Sequence, residues 1–189
     1  LYKEVEKKTL YVILAKPVRR AEFVAGKYIG MVATGVVQIV IMTAVLSLLL
    51  ALWGTPRPTD PEAPLVYASV LVLGEYLVVS AIALLFSSFS TPFVGGLLTG
   101  LLFLAGRLVS VMNELADRHP SAELRQLLRT AVQVLPNLNL FVPSRTTLVP
   151  YIAGYTPELY LAKTTAYGVV YAAVLLVLAI LVFQRRDLT

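Results

Sequence analysis

Residues 28–53 read YIGMVATGVVQIVIMTAVLSLLLALW, a run without one charged side chain. At a rise of about 1.5 Å per residue, a helix of this length spans about 39 Å, which exceeds the hydrocarbon core of a bilayer at about 30 Å. Such a run is too long for a helix within the core of one small soluble domain. The stretch therefore predicts a transmembrane helix and makes lipid the solvent for the surrounding chain.

Three other segments are long and apolar enough to cross a bilayer: 64–86, 93–112 and 164–184. Two of them carry a single charge each, Glu75 and Arg107, and the last carries none. Thr156 is placed to cap the last helix and Pro157 suits a first helical position, so that helix is predicted to begin there. The pattern predicts an all-α polytopic helix bundle in which residues 1–189 form one transmembrane domain.

Composition agrees with a membrane protein and excludes several classes of enzyme. Apolar residues make up 58% of the chain and charged residues 14%, against roughly 45 to 50% and about 25% in soluble domains. The chain has no cysteine and one histidine, His119, which argues against thiolate nucleophiles and metal sites. An intramembrane hydrolase fits poorly, because neither G-x-S-x-G nor H-E-x-x-H occurs.

The positive charges border the apolar runs, which favours membrane topology over nucleic-acid binding as the reason for a net charge of +5. Segments 1–27, 87–92 and 185–189 together hold nine Lys and Arg. The opposite side, 54–62 and 113–163, is longer and holds only six, so the density differs more than twofold. By the positive-inside rule, we expect both ends of the chain to be cytoplasmic.

Residues 1–24 predict a bent helical elbow at the cytoplasmic surface. Residues 2–15 mix charged and apolar side chains as an amphipathic helix does, and Pro17 prevents its continuation. A second helix then begins near Arg19 and Arg20 and enters the bilayer. The elbow has two interpretations: a basic anchor for anionic lipid headgroups, or a docking surface for a cytoplasmic partner.

The segment EVEKKTLYVILAKPVRRAEFVAGKYIG (4–30) resembles ABC-2-type exporter permeases, particularly the NosY-like group, whose pattern reads approximately E-x4-T-x4-L-x-K-P-V-S-R-x5-G-K. Arg19 stands where serine is usual. LPNLNLF (135–141) and FQRRDL (183–188) resemble two further family stretches. The matching positions in the elbow are Glu4, Thr9, Leu14, Lys16, Pro17, Val18, Arg20, Gly26 and Lys27.

In that family the elbow is a coupling helix that touches an ATPase subunit. The resemblance implies that Glu4, Thr9, Lys16, Pro17, Arg19, Arg20 and Lys27 contact this partner. It also implies that the four spans are helices three to six of a six-helix permease, that two helices precede Leu1, and that a second permease chain, identical or different, completes the pathway. The chain itself would bind no cofactor, ATP and magnesium being held by the ATPase, and it would lie in the cytoplasmic membrane. It has no P-loop, since the pair Gly26-Lys27 lacks the preceding glycine.

Within residues 113–163, expected to be extracytoplasmic, Ser121 is a suitable N-cap and Pro136 ends the helix that follows. Its apolar face carries Leu124, Leu127, Leu128, Ala131 and Leu135. This amphipathic helix either lies in the headgroup plane as an interfacial helix or covers the outer mouth of a pathway.

Glu75 and Arg107 are charges inside predicted spans, so we expect them to face protein or water. Three interpretations stay open: an ion pair, despite a depth difference of roughly 8 Å counted from the outer ends; separate snorkelling and neutralisation; or a place on the substrate path. The spacings Gly26/Gly30 and Gly96/Gly100 allow helices to approach closely, and they favour packing within the chain over dimerisation at either place.

Two functions follow from the sequence. The first is a permease subunit of an ATP-driven exporter, in which a separate ATPase moves the elbow and thereby the spans. The alternative is a polytopic membrane scaffold or assembly protein, outside the ABC class, whose elbow only anchors to lipid. Dependence on an ATPase distinguishes the two.

Overall fold

The computed structural model describes residues 19–53, 62–118, 121–142 and 156–184. Within them the chain forms five α-helices and one short 3-10 helix, with no strand. The elements are α1 (Arg20–Trp53), α2 (Glu62–Phe89), α3 (Pro92–Arg118), α4 (Ala122–Val134), the 3-10 helix (Leu138–Phe141) and α5 (Pro157–Gln184). Residues 1–18 of the elbow, which include Glu4, Thr9, Lys16 and Pro17, lie outside the described residues, as does His119.

Four helices, α1, α2, α3 and α5, are long and apolar enough to cross a membrane. The predicted all-helical class and the number of spans are therefore confirmed. The predicted start of the last helix is also confirmed, because α5 begins at Pro157 and the Thr156 hydroxyl accepts a hydrogen bond from the Leu159 N–H at 3.4 Å. α3 continues to Arg118, beyond the apolar run that marks its span.

The helix α2 lies at the centre of the bundle and packs against α5 on one side and α1 and α3 on others. Its side chains Leu71, Val78 and Ile82 are fully buried and form one core with residues of α5 and the 3-10 helix. By contrast, only Val24 and Gly35 are buried on α1. The rest of α1 leaves a large apolar surface, which suits contact with lipid. Among lipid chains, packing and hydrogen bonds hold helices together.

The proximal end of the bundle is the end at which α1 begins, α2 meets α3, and α5 ends; the distal end is the opposite one. At the proximal end the Arg20 Nη1 donates a hydrogen bond to the Gln184 carbonyl at 3.1 Å. The Phe23 ring stacks on the Phe183 ring at 6.4 Å between centroids. A cation suits the last turn of a helix, whose carbonyls lack partners, so these contacts fasten the start of α1 to the end of α5.

The close helix approaches do not occur at the predicted glycine pairs. Apart from chain neighbours and the local backbone of the same helix, no atom of the described residues comes within 4 Å of a Cβ placed at Gly26, Gly30, Gly96 or Gly100. The predicted packing there is wrong for this part of the chain. Helices instead approach closely at glycines that face a large ring or an inserted segment, as at Gly35, where a Cβ would strike the ring of Tyr76.

Candidate functional site

The segment after α3 turns back alongside it, and we refer to residues 122–142 as the return segment. The Arg129 Nη2 forms an ion pair with the Asp117 Oδ1 at 3.2 Å. Further along, the Asn139 Nδ2 donates to the Ser110 Oγ at 2.6 Å. The Pro136 carbonyl oxygen lies 2.7 Å from the position of a Cβ at Gly106. α4 therefore runs antiparallel to α3 and reaches the level of Gly106 at its end.

The backbone of the return segment from the last residue of α4 to the 3-10 helix is bonded to three tyrosines of α5. Tyr171 Oη donates to the Val134 carbonyl at 3.0 Å, and Tyr160 Oη donates to the Leu140 carbonyl at 2.6 Å. Between them, the Asn137 N–H donates to Tyr167 Oη at 2.9 Å. Irregular backbone within a bundle needs such partners, because polar groups of the main chain are costly to bury unpaired.

Two side chains of the return segment fill notches that glycines leave in the long helices. Phe141 is fully buried, and its ring lies between Gly74 of α2 and Gly168 of α5. A Cβ at Gly74 would lie 2.6 Å from the ring, and one at Gly168 would lie 3.0 Å from it. Leu138, also fully buried, packs against Gly106 of α3. The return segment thus contacts three of the four spanning helices.

Glu75 of α2 and Arg107 of α3 form an ion pair inside the bundle. The Arg107 Nη2 lies 2.7 Å from Glu75 Oε1 and 2.8 Å from Oε2, with hydrogen-bond geometry to Oε2. The Glu75 side chain is 13% exposed and that of Arg107 is 33% exposed. The Arg107 guanidinium also lies over the Phe103 ring, 5.5 Å from its centroid.

The two charges meet because they stand at the same height above the turn that joins their helices. Measured along α2 from its end at Phe89, Glu75 stands at about 21 Å, and measured along α3 from its start at Pro92, Arg107 stands at about 22 Å. The offset of roughly 8 Å expected from the sequence was counted from the outer ends of the apolar runs, and it vanishes when heights are counted from the shared turn. Of the three interpretations, the geometry favours the ion pair.

The ion pair and the return segment share the same turns of helix. Glu75 follows Gly74, which receives Phe141, and Arg107 follows Gly106, which receives Leu138. Any separation of α2 from α3 would therefore disturb the ion pair and the two glycine notches that receive the return segment at the same time. Among the described residues no group of three or more His, Cys, Asp or Glu side chains could hold a metal ion.

Of the residues that the elbow pattern assigns to an ATPase contact, the structure describes Arg19, Arg20 and Lys27. Arg19 is exposed at the start of α1, and its backbone N–H donates to Glu22 Oε2 at 3.1 Å. This is one of the two hydrogen bonds of a capping box, the one that the glutamate accepts. A serine side chain at position 19 would make the other. Arg20 holds the end of α5, and Lys27 follows two turns further along α1, half-buried.

Sequence reasoning missed the tyrosine anchors. Tyr160, Tyr167 and Tyr171 recur at intervals of seven and four residues, which places them on one face of a helix. That spacing was available as a signal. What it could not reveal is their partner, the backbone from the end of α4 to the 3-10 helix, which lies well before α5 in the chain.

Residues 1–188 match the family model described as ABC-2 family transporter protein. No curated protein and no solved structure gives a significant match. The family match covers all but the last residue of the sequence, and four helices suited to crossing a membrane agree with it. The chain therefore belongs to the ABC-2 family of transporter proteins.

Proposed function

We propose that this chain is the membrane-spanning permease subunit of an ATP-driven exporter, and that it couples ATP hydrolysis by a separate ATPase subunit to movement of a substrate. The observation that carries the proposal is the family match, which runs through the elbow as well as the four spans. Within the family, the elbow pattern over residues 4–30 favours the NosY-like group. ATP and magnesium belong to the ATPase, and this chain supplies the moving helices.

The contacts of the described residues provide a mechanical route from the elbow into the bundle. The elbow leads into α1 at Arg20, which is bonded to the end of α5 through Gln184. α5 in turn holds the return segment through Tyr167 and its two neighbouring tyrosines. A push on the elbow therefore displaces α1 and α5 together, and α5 carries the displacement to the distal half of the bundle.

The proposed complex contains a cytoplasmic ABC ATPase and a second permease chain, within the cytoplasmic membrane. The proximal end faces the cytoplasm, because lysine and arginine are more than twice as dense in the segments on that side. The scaffold alternative explains the basic elbow as a lipid anchor. The scaffold alternative does not account for the family match, so we favour the permease that works with an ATPase.

Reversal of elbow charge tests this proposal. The variant Lys16→Glu/Arg19→Glu changes the elbow without touching Arg20, whose contact with Gln184 is structural. A matched control is Arg118→Glu at the distal end, where the arginine side chain is 78% exposed. We expect the elbow variant to retain at most about a tenth of the ATPase that co-purifies with the intact protein, a loss of about 1.4 kcal/mol or more.

The control should keep its ATPase, and both variants should be recovered from membranes in equal amounts. Equal ATPase recovery by the elbow variant and the control would favour the lipid-anchor interpretation. Loss in both would show that the effect is one of folding.

A further inference from the structure

We propose that a groove between the distal halves of α1 and α2 binds one acyl chain of a lipid from the distal leaflet, the leaflet at the distal end of the bundle. The groove has a volume of about 540 Å³. Binding sites for small molecules usually measure about 300 to 1,000 Å³. Such a lipid site goes beyond the proposed transport function and does not depend on an ATPase, because it rests on contacts between two spanning helices.

The groove forms where α1 and α2 meet through small side chains. Thr43 of α1 contacts Ser69 of α2, with 2.8 Å between the two hydroxyl oxygens. Ala68, which is half-buried, lines the groove beside Ser69. Larger side chains, Leu46 of α1 and Val72 of α2, stand at the rims and are exposed. Because the floor is small and the rims are large, the two helices leave room for a narrow chain.

The hydroxyl groups on the floor of the groove are already bonded within the protein. Thr43 Oγ1 lies 2.8 Å from the Ile39 carbonyl oxygen, and Ser69 Oγ lies 2.8 Å from the Leu65 carbonyl oxygen. Each hydroxyl has one proton, which is directed either to its carbonyl or to the other hydroxyl. The floor therefore offers no donor to a polar solute. Every other side chain that lines the groove is apolar, so the groove suits hydrocarbon.

The groove spans the depth of the distal leaflet. Trp53, the last residue of α1, is 84% exposed, and tryptophan favours the level of the lipid headgroups. On α1 the groove extends from Leu49 to Ile39, which lie about 6 Å and about 21 Å below Trp53 at the helical rise. Its length of about 15 Å equals half of a hydrocarbon core of about 30 Å. An acyl chain that descends from the distal headgroups therefore follows the whole groove.

A membrane helix is too wide to occupy the groove. A helix with its side chains is about 10 Å across, so a segment 15 Å long takes up about 1,200 Å³. That is more than twice the volume of the groove. An acyl chain is one carbon chain wide, and it gains dispersion contacts from the floor and from both rims. At an open helix surface the same chain touches protein on one side only, so these contacts favour the groove.

Photochemical labelling tests the groove. The intact protein is reconstituted in phosphatidylcholine vesicles that contain a small fraction of phosphatidylcholine with a diazirine in the middle of one acyl chain. Illumination attaches this chain to the residues that it touches, and mass spectrometry of the peptides locates them. Leu46 reports the groove. Val170 of α5 is the matched control, because it lies seven residues from Lys163 and Leu46 lies seven residues from Trp53, each counted inward from the distal side.

Exposure alone and binding in the groove predict opposite results. Val170 is 63% exposed and Leu46 is 44% exposed, so a lipid without a preferred position would label Val170 at least as strongly. We expect instead about tenfold more label at Leu46 than at Val170.

A variant that fills the groove should remove this preference. Ala68→Phe places a ring on the floor, and we expect it to lower the label at Leu46 to the level at Val170. The matched control Ala33→Phe adds the same ring at an exposed position of α1 outside the groove. It should leave the ratio of the two labels unchanged.

A label at Leu46 that does not exceed the label at Val170 would overturn the proposal, and a much weaker label at Leu46 would show that a helix of another chain covers the groove. Undiminished labelling of Leu46 in Ala68→Phe would also overturn it. If Ala68→Phe does not accumulate in membranes, the comparison of Leu46 with Val170 in the unaltered protein decides. Since neither nucleotide nor ATPase is present, failure of the proposed coupling leaves this result unchanged.

Discussion

The ring of Tyr76 lies directly on Gly35, and its hydroxyl donates to the Met31 carbonyl one turn away at 3.0 Å. The contact joins α1 to α2 at the residue that follows Glu75. A side chain at position 35 would occupy the space of the ring, so glycine is required here for packing between helices.

Replacing Gly35 with alanine should therefore destabilise the bundle by about 1 to 3 kcal/mol, the usual cost of overpacking. Gly30→Ala is the matched control on the same helix, since nothing among the described residues lies within 4 Å of its Cβ. There the gain in helix propensity, up to about 1 kcal/mol, should dominate. Thermal unfolding in mild detergent measures both, and a higher midpoint for Gly35→Ala than for Gly30→Ala would contradict the contact.

Phe141→Ala should empty the notch between Gly74 and Gly168. Loss of a fully buried phenylalanine costs about 3 to 5 kcal/mol where the site cannot collapse, and the long helices on either side limit collapse. Phe93→Ala serves as the control, because its side chain is 81% exposed. The return segment should become sensitive to protease in the Phe141 variant alone. Equal sensitivity in both variants would contradict the role of the Phe141 ring in holding the return segment.

Tyr167→Phe should leave the Asn137 N–H without its acceptor inside the bundle. An unpaired buried donor costs about 1 to 3 kcal/mol, although the phenylalanine ring preserves the packing with Phe141. Tyr67→Phe removes a hydroxyl that makes no hydrogen bond to the described residues, so its effect should be near zero. Hydrogen exchange at the Asn137 amide reports the change, and an unchanged exchange rate would mean that the bond contributes nothing.

The ion pair should behave as a unit. Glu75→Gln or Arg107→Gln alone leaves one charge unmatched, and we expect each to cost about 1 to 3 kcal/mol, below the value for fully buried pairs because Arg107 is partly exposed. The double variant should recover part of the loss, since both charges are then gone. A double variant whose loss equals the sum of the single losses would show that the two residues act independently.

Helix positions followed readily from the sequence, because uncharged runs as long as 28–53 are rarely anything but membrane spans. The relation between helices did not. The usefulness of a glycine depends on which side chain faces it, and Gly74 and Gly168 matter only because Phe141 arrives from the return segment. The sequence placed Glu75 and Arg107 at different depths because depth was counted from the distal ends of the apolar runs. α3 continues past its apolar run through Glu114 and Arg118, which form an i,i+4 ion pair. The distal ends of the two apolar runs therefore do not lie at the same height.

The amphipathic character of α4 was also predictable, and the helix forms over Ala122–Val134. Ser121 occupies the N-cap position, but its side chain makes no capping hydrogen bond. Its direction was not, since hydrophobic periodicity describes faces and contains no information on long-range partners. The bonds from Tyr171 and Asn139 fix that direction.

In the proposed function, this chain converts the work of a separate ATPase into movement of its own helices. The decisive measurement is ATP hydrolysis by the intact protein, purified alone and again with its co-purified nucleotide-binding partner. We expect no hydrolysis above background from the chain alone, and hydrolysis by the complex that falls when residues 2–16 are deleted while membrane insertion persists. Hydrolysis by the chain alone, or a complex indifferent to that deletion, would contradict the claim.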